Sequence, residues 1–230
     1  MTSQEFLERL DSIVNERHML QHPFYIMWNN GELSIEMLRE YAHEYYLQVH
    51  NFPRYVSATH SNCDDFEVRQ MLLENLVEEE QGPNNHPELW RRFADSLNIE
   101  RAAITDRKYL QTTKDSVQIL QELAGRKNAY EGIAALYAYE SQIPEVSTTK
   151  IAGLKKHYNL DTKDALEFFE VHEHADEIHR TVTREALAKL CQTDEQKESA
   201  LDSAREAADA LNLLLDGVYE NYCSKHLAMA

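Results

Sequence analysis

The stretch DTKDALEFFEVHEHADEIHRTVTREALAKLC, residues 161 to 191, is the most informative segment of the chain. Asp161 is a capping residue, and the pattern after it predicts one helix of about 30 residues, to roughly Cys191. With His172 at zero and 100° per residue, Asp176 falls at about 40° and His179 at about −20°. Ala165, Phe168, Ala175 and Leu190 share that arc, within about 60° of His172. Glu170, Glu173, His174, Glu177 and Thr181 fall on the opposite, solvated side. Two imidazoles and a carboxylate thus lie on the stripe that should be buried. Burying them is costly unless something satisfies them. A hydrogen-bonded cluster would do so, and so would a metal ion. The spacing His-x3-Asp-x2-His brings three ligand atoms within reach of one point.

Two further segments present the same problem. In Ala129 to Gln142, with Glu140 at zero, Ala129, Ile133, Leu136 and Ile143 lie within about 60°. Glu140 therefore points into the core, while Glu131 and Glu145 point out. Either a buried cation pairs with it or a metal does. The segment EEEQGPNNH, residues 78 to 86, is the third piece. Val68, Leu72 and Leu76 share a face with Glu79, and Glu80 is not excluded by angle. Gly82-Pro83 ends that helix, so His86 must enter from the start of the next one. Together these segments supply carboxylates and imidazoles without a thiolate, a ligand set suited to iron or manganese.

The rest of the chain reads as helices joined by short connections. Six Gly and five Pro are few for 230 residues, and runs of β-branched residues are scarce. Thr2 and Glu5 form a capping box before a helix to about His18. HPFYIMWNNG breaks it, with Asn29-Asn30-Gly31 as a turn. Ser34 caps a long helix to about Ser61 that contains Pro53. Asp64 or Asp65 starts the next. Pro87 suits the first turn of a helix through Leu97. Asn98 caps a short helix, and Thr112 or Thr113 another. Pro144 kinks or ends the helix that carries Glu140. The last helix covers about Asp194 to Tyr222. The expectation is an all-α fold: one compact bundle of seven to nine helices, forming a single domain over residues 1–230.

Composition limits the partners. The net charge of −17 argues against nucleic acid and anionic membranes, which would be repelled. Cys63, Cys191 and Cys223 are odd in number and form no CxxC pair, so a reducing compartment is expected. The N-terminus is amphipathic and charged, unlike a signal peptide. No run of 18 apolar residues is present. A cytoplasmic protein is the expectation, and helical bundles of this size commonly pair as homodimers.

The pattern E-x6-H, then E, then H-x3-D-x2-H resembles the haem-oxygenase-like di-iron oxidases. The resemblance runs through HMLQHPFY, GELSIE, EYYL, FPRY, HSNCDD, EEEQGPNNHPELW, AALYAYESQIP and KIAGL, in that order. It covers nearly the whole chain and is weakest over Arg101 to Lys127 and at the C-terminal ENYCSKHLAMA. Relatives include the oxidase of pyrroloquinoline quinone synthesis and the thiaminase-like proteins. Within this family the resemblance implies oxygen-dependent synthesis of p-aminobenzoate for folate, on two metal ions, Fe/Fe or Fe/Mn. Oxygen and an external reductant would be consumed, with the electron donor unspecified.

The resemblance also implies residue roles. Glu79, His86, Glu140, His172, Asp176 and His179 match the six metal ligands, which selects Glu79 over Glu80. Tyr25 matches a tyrosine that supplies the aromatic ring, and Lys150 a lysine that supplies the nitrogen, so the chain would consume part of itself. Such a lysine must be neutral and would need a depressed pKa. Tyr41, Tyr137 and Tyr139 are candidates for radical transfer or supporting hydrogen bonds. Two other readings compete. One is a di-iron oxidase acting on an external small molecule; the other is a helical interaction protein with a structural polar core.

Overall fold

The computed structural model describes residues 1–224, apart from the side chains of residues 174–178. Among these residues there are eleven α-helices and no strand. They are α1 (Ser3–Glu16), α2 (Pro23–Asn30), α3 (Ile35–Ser61), α4 (Phe66–Glu80), α5 (His86–Ser96) and α6 (Arg101–Asp106). Then come α7 (Gln111–Ala124), α8 (Ala129–Glu140), α9 (Ile143–His157), α10 (Lys163–Leu190) and α11 (Asp194–Val218), which runs on as a π turn, Tyr219–Cys223.

The long helices organise the rest. α3 packs against α4, α5 and α7; α10 packs against α5, α8 and α9; α11 packs against α1, α7 and α8. Helix α8 is the central one. Every residue from Gly132 to Glu140 is buried, as expected for a helix apolar on all sides. Gly132 lets it approach α3: a Cβ there would lie 2.6 Å from the Thr59 hydroxyl. The aromatic residues of α2 and α3 fill the space between these layers, with Tyr25, Trp28, Tyr41 and Tyr55 all buried.

Helix starts follow side-chain chemistry. Thr2 and Glu5 form the capping box of α1, Ser34 accepts from the Met37 amide at α3, and Asp65 accepts from the Val68 amide at α4. Each such cap contributes about 1 kcal/mol.

The helix count exceeds the seven to nine expected, for two local reasons. His22 accepts from the Phe24 amide and Pro23 takes the first helical position, so the supposed break after α1 holds helix α2. Its end is the expected turn: Gly31 caps it in the left-handed region at φ 70°. Pro144 sits at the start of α9 instead of simply ending α8, where its missing amide hydrogen costs nothing. Three caps also differ. Asn98 lies past α5 at φ 59°, and α6 starts after Glu100. α7 starts after Leu110, without a side-chain cap, because Thr113 turns inward to donate to Glu44. Thr162, not Asp161, caps α10.

Cys63, Cys191 and Cys223 are buried and unbonded. Among the described residues no helix is long and apolar enough to cross a membrane.

Candidate metal centre

The inward face of α4 carries Val68, Leu72, Asn75 and Glu79. Past Glu79 the helix ends at an extended Gln81, and Gly82 turns the chain at φ 81°. Asn85 then caps α5 by accepting from the Glu88 amide at 3.0 Å. That turn brings His86, the first residue of α5, back onto the end of α4. Its Nδ1 lies 2.7 Å from Glu79 Oε1. Both side chains are buried.

α10 brings the third donor. The His172 ring sits 4.2 Å from the His86 ring, centroid to centroid. Its Nδ1 donates to the Phe168 carbonyl at 2.6 Å, which leaves Nε2 with a free lone pair. A backbone acceptor of this kind fixes the tautomer of a metal-binding imidazole. Burial, followed by the nearby His86, holds the His172 pKa well below the ordinary histidine value. The ring stays neutral, the form that ligates. Burial pushes the Glu79 carboxyl upward, opposed by His86.

The donor atoms of Glu79, His86 and His172 all lie within 4.8 Å of one another. Ligands at about 2.0–2.2 Å from one ion are separated by roughly 3–4.4 Å. The three residues are close enough to one another that they could hold a metal ion. Glu140, the last residue of α8, lines the same cavity. Asn75 Nδ2 donates to Glu140 Oε1 at 2.7 Å, and His179 Nδ1 stands 3.3 Å from that oxygen. Five of the six ligand candidates thus gather where the ends of α4, α5 and α8 meet the middle of α10. The sixth, Asp176, has its side chain outside the described residues.

The cavity's other wall belongs to Lys150. Lys150 lies on α9, two turns past the α8–α9 joint, and is 2 % exposed. Its Nζ is 4.8 Å from the Tyr45 ring centroid, 5.1 Å from Tyr41, 5.2 Å from Phe169 and 5.6 Å from Tyr25. Among the described residues it forms no ion pair. Burial pulls its pKa down from 10.5 to about 7, so the neutral amine is well populated near neutrality. Tyr25 is fully buried. Its hydroxyl meets that of Tyr41 at 3.3 Å, and burial raises its pKa well above the ordinary phenol value. A second hydroxyl contact, Tyr45 to Tyr139 at 2.8 Å, stands at the cavity itself. Tyr137 does not belong here: its hydroxyl donates to Asp11 at 2.5 Å.

The cavity between the donors and the amine is narrow. About 20 Å³ is open to the centre of a water-sized sphere, room for about one water. Two of its neighbours escaped the sequence reading. Asn75 had a signal, since it is a polar residue on the Val68–Leu72–Glu79 face. Tyr45 had none that separates it from Tyr46 beside it.

Known proteins share this chain's family and fold. Residues 7–221 match the TENA/THI-4/PQQC family. A 4-aminobenzoate synthase from Nitrosomonas europaea is 40% identical over 97% of this chain and 95% of that protein. A 4-aminobenzoate synthase from Chlamydia muridarum is 38% identical over 95% of this chain and 92% of that protein. Among solved structures, a haem-oxygenase-like domain from Shewanella denitrificans superimposes with a TM-score of 0.76 at 18% identity. That match covers 95% of this chain and 90% of that one. The chain is therefore a member of the TENA/THI-4/PQQC family, all-helical and haem-oxygenase-like in fold.

Proposed function

We propose that this protein makes 4-aminobenzoate from its own Tyr25 and Lys150, in an oxygen-dependent reaction at two metal ions. One observation carries the reading. The buried amine of Lys150 stands 5.6 Å from the Tyr25 ring centroid, on the wall of a cavity that also bears Glu79, His86, Glu140 and His172. That cavity has no room for an external aromatic acid: a dry cavity that binds benzene measures about 150 Å³. The full-length likeness to two 4-aminobenzoate synthases supports the product.

Glu79, His86 and His172 would hold one metal, and Glu140 and His179, with Asp176, would complete a second site. Iron, alone or with manganese, would supply the oxidising power when oxygen and an external reductant are present. The protein's own groups account for the rest. Tyr25 offers a six-membered ring with one branching carbon. With oxygen as oxidant, cleavage of Cα–Cβ and oxidation of Cβ would leave the carboxylate; Nζ, released from Cε by oxidation of that carbon, would replace the phenol oxygen, which leaves as water. Lys150 can deliver that nitrogen only when neutral, and its burial makes the neutral form well populated near neutral pH. The surrounding rings of Tyr41, Tyr45 and Phe169 keep bulk water from the amine. The contacts Tyr25–Tyr41 and Tyr45–Tyr139 offer hydroxyl partners for proton movement between the ring and the cavity.

The test uses metal-free protein loaded with Fe(II), with and without Mn(II), then given oxygen and a reductant but no other substrate. The expected result is 4-aminobenzoate by chromatography, with a mass loss mapped to Tyr25. Protein grown on lysine labelled with ¹⁵N should pass the label to the product. Full metal loading with Tyr25 intact and turnover of an added small molecule would replace this reading with an oxidase of external substrates.

A further inference from the structure

Outside the buried cavity, the faces of α4 and α10 leave a groove of about 370 Å³. Glu74, Glu78 and Glu185 line it and are exposed. Lys189 lines it too, but its amine is held by Asp65 and Glu67, each at 2.7 Å. Glu74 and Glu185 form no ion pair among the described residues. A row of carboxylates on a helix is usually only a solvated face, and here two further observations separate it from that. The first is Asn75 on the groove's floor: it is 6 % exposed, its Nδ2 donates to Glu140, and its Oδ1 has no hydrogen-bond partner among the described residues. A buried carbonyl oxygen without a donor costs on the order of 1–3 kcal/mol and is an acceptor suited to a cation.

The second is continuity. Glu78 Oε2 stands 3.2 Å from His179 Nε2. The opposite nitrogen, His179 Nδ1, stands 3.3 Å from Glu140 Oε1. Glu140 already faces the buried cavity with Glu79, His86 and His172. One imidazole therefore spans the wall between an exposed carboxylate and a buried one. Oxygen and nitrogen donors thus follow one another from solvent to Glu140, 3.2 and 3.3 Å apart.

We propose that the α4–α10 groove is the loading route for hydrated divalent metal: Glu74, Glu78 and Glu185 capture the cation, and Asn75 and His179 pass it inward to Glu140. This rests on the metal-centre reading above. Carboxylates lining a cleft raise the local concentration of a cation, and with it the association rate, by about 10-fold or more. They do so without appearing in the final coordination sphere. The exposed carboxylates therefore control the speed of loading, and the buried residues control its end point.

The test follows Co(II) binding to the metal-free protein by stopped-flow absorption, at low and high salt. Glu74→Gln combined with Glu185→Gln should slow association about 10-fold at low salt, flatten the salt dependence, and leave the final spectrum and stoichiometry unchanged. Glu8→Gln with Glu195→Gln removes the same charge from α1 and α11 and should load at the native rate. Native-rate loading in the groove variant would overturn the route, as would equal slowing in both variants. A changed final spectrum in the groove variant would make the groove carboxylates part of the centre and also end the proposal. If the native protein binds no cobalt at all, the metal-centre reading itself fails, a result distinct from the other three.

Discussion

The two walls of the cavity solve the same problem in opposite ways. On the α4–α5–α8–α10 side, ionisable groups are buried together and satisfy one another: Glu79 with His86, Glu140 with Asn75 and His179. On the α2–α3–α9 side a single amine is buried among aromatic rings, with no carboxylate partner among the described residues. The first arrangement keeps its groups polar and exchangeable, ready to release one another for an ion. The second leaves one group with no way to carry charge cheaply, and so alters its protonation. A donor cluster and a reactive amine need different surroundings, and the fold provides both within one cavity.

Substitutions can break this contrast in order of severity. Tyr25→Phe keeps the ring and the packing but removes the phenol. It should abolish 4-aminobenzoate, by about 1000-fold or more on a chromatographic assay, at full metal occupancy. That magnitude is the order lost when a chemically essential group is removed. Next, His86→Ala should lower metal affinity by at least ~100-fold in equilibrium dialysis, more than the loss of a supporting residue would cause. The surroundings of Lys150 should be undisturbed by it. Product from an unchanged His86→Ala protein would break the donor side of the comparison.

Lys150→Met tests the other side through stability. Unfolded, the lysine titrates at its ordinary 10.5; buried, at about 7. Between those values the unfolded chain holds the extra proton, so the native protein gains stability as pH rises through this window. The penalty is greatest below pH 7 and vanishes above about 10.5. Lys150→Met, with similar length and no charge, should therefore be about 3 kcal/mol more stable than the native chain at pH 8. Its advantage should shrink by about 1.4 kcal/mol per pH unit up to pH 9.5 in urea titrations. An unchanged slope would mean that the amine is solvated. In the native protein, product formation should fall about 10-fold per pH unit below 7, as the neutral amine is lost.

The smallest effect concerns the packing that holds Tyr25 against Lys150. A Cβ on Gly153 of α9 would lie 2.4 Å from the Trp28 indole nitrogen. Overpacking of this kind costs about 1–3 kcal/mol, offset by about 1 kcal/mol of helix propensity for alanine. Gly153→Ala should thus lose ~1 kcal/mol and slow product formation modestly, with metal affinity unchanged. Loss of metal affinity would mean that the two walls are mechanically coupled.

The donor side was largely legible in the sequence because helix geometry makes it so. His172 and His179 interrupt an apolar arc, and Glu140 does the same on α8; such residues are conspicuous against their neighbours. Glu79 against Glu80 was not legible by angle, since both fit the arc; the structure buries Glu79 and exposes Glu80. The amine side was opaque for the opposite reason. Lys150 stands beside Thr148 and Thr149 on a helix the residues did not announce, because Pro144 read as a kink or an end where it serves as a start. Tyr25 was one of twelve tyrosines, in a stretch that read as a break. Aromatic cages form from residues distant in sequence, Tyr25, Tyr45 and Phe169 here, and no local period encodes them.

The joint between α8 and α9 sets the phase of the whole arrangement. Glu140 ends one helix and Lys150 rides on the next, with only Ser141 and Gln142 between the two spans. Gln142 is fully buried and clamps that joint, accepting from the Met19 amide at 2.8 Å and donating to the Ala138 carbonyl at 2.7 Å. Each residue added or removed there would rotate α9 by about 100° about its axis, swinging Lys150 out of register with both the ring and the donors. A chain of this kind can tolerate changes of length in its solvent-facing connections but not in these two residues. In libraries of insertions and deletions, the joint should stand out as a position of fixed length.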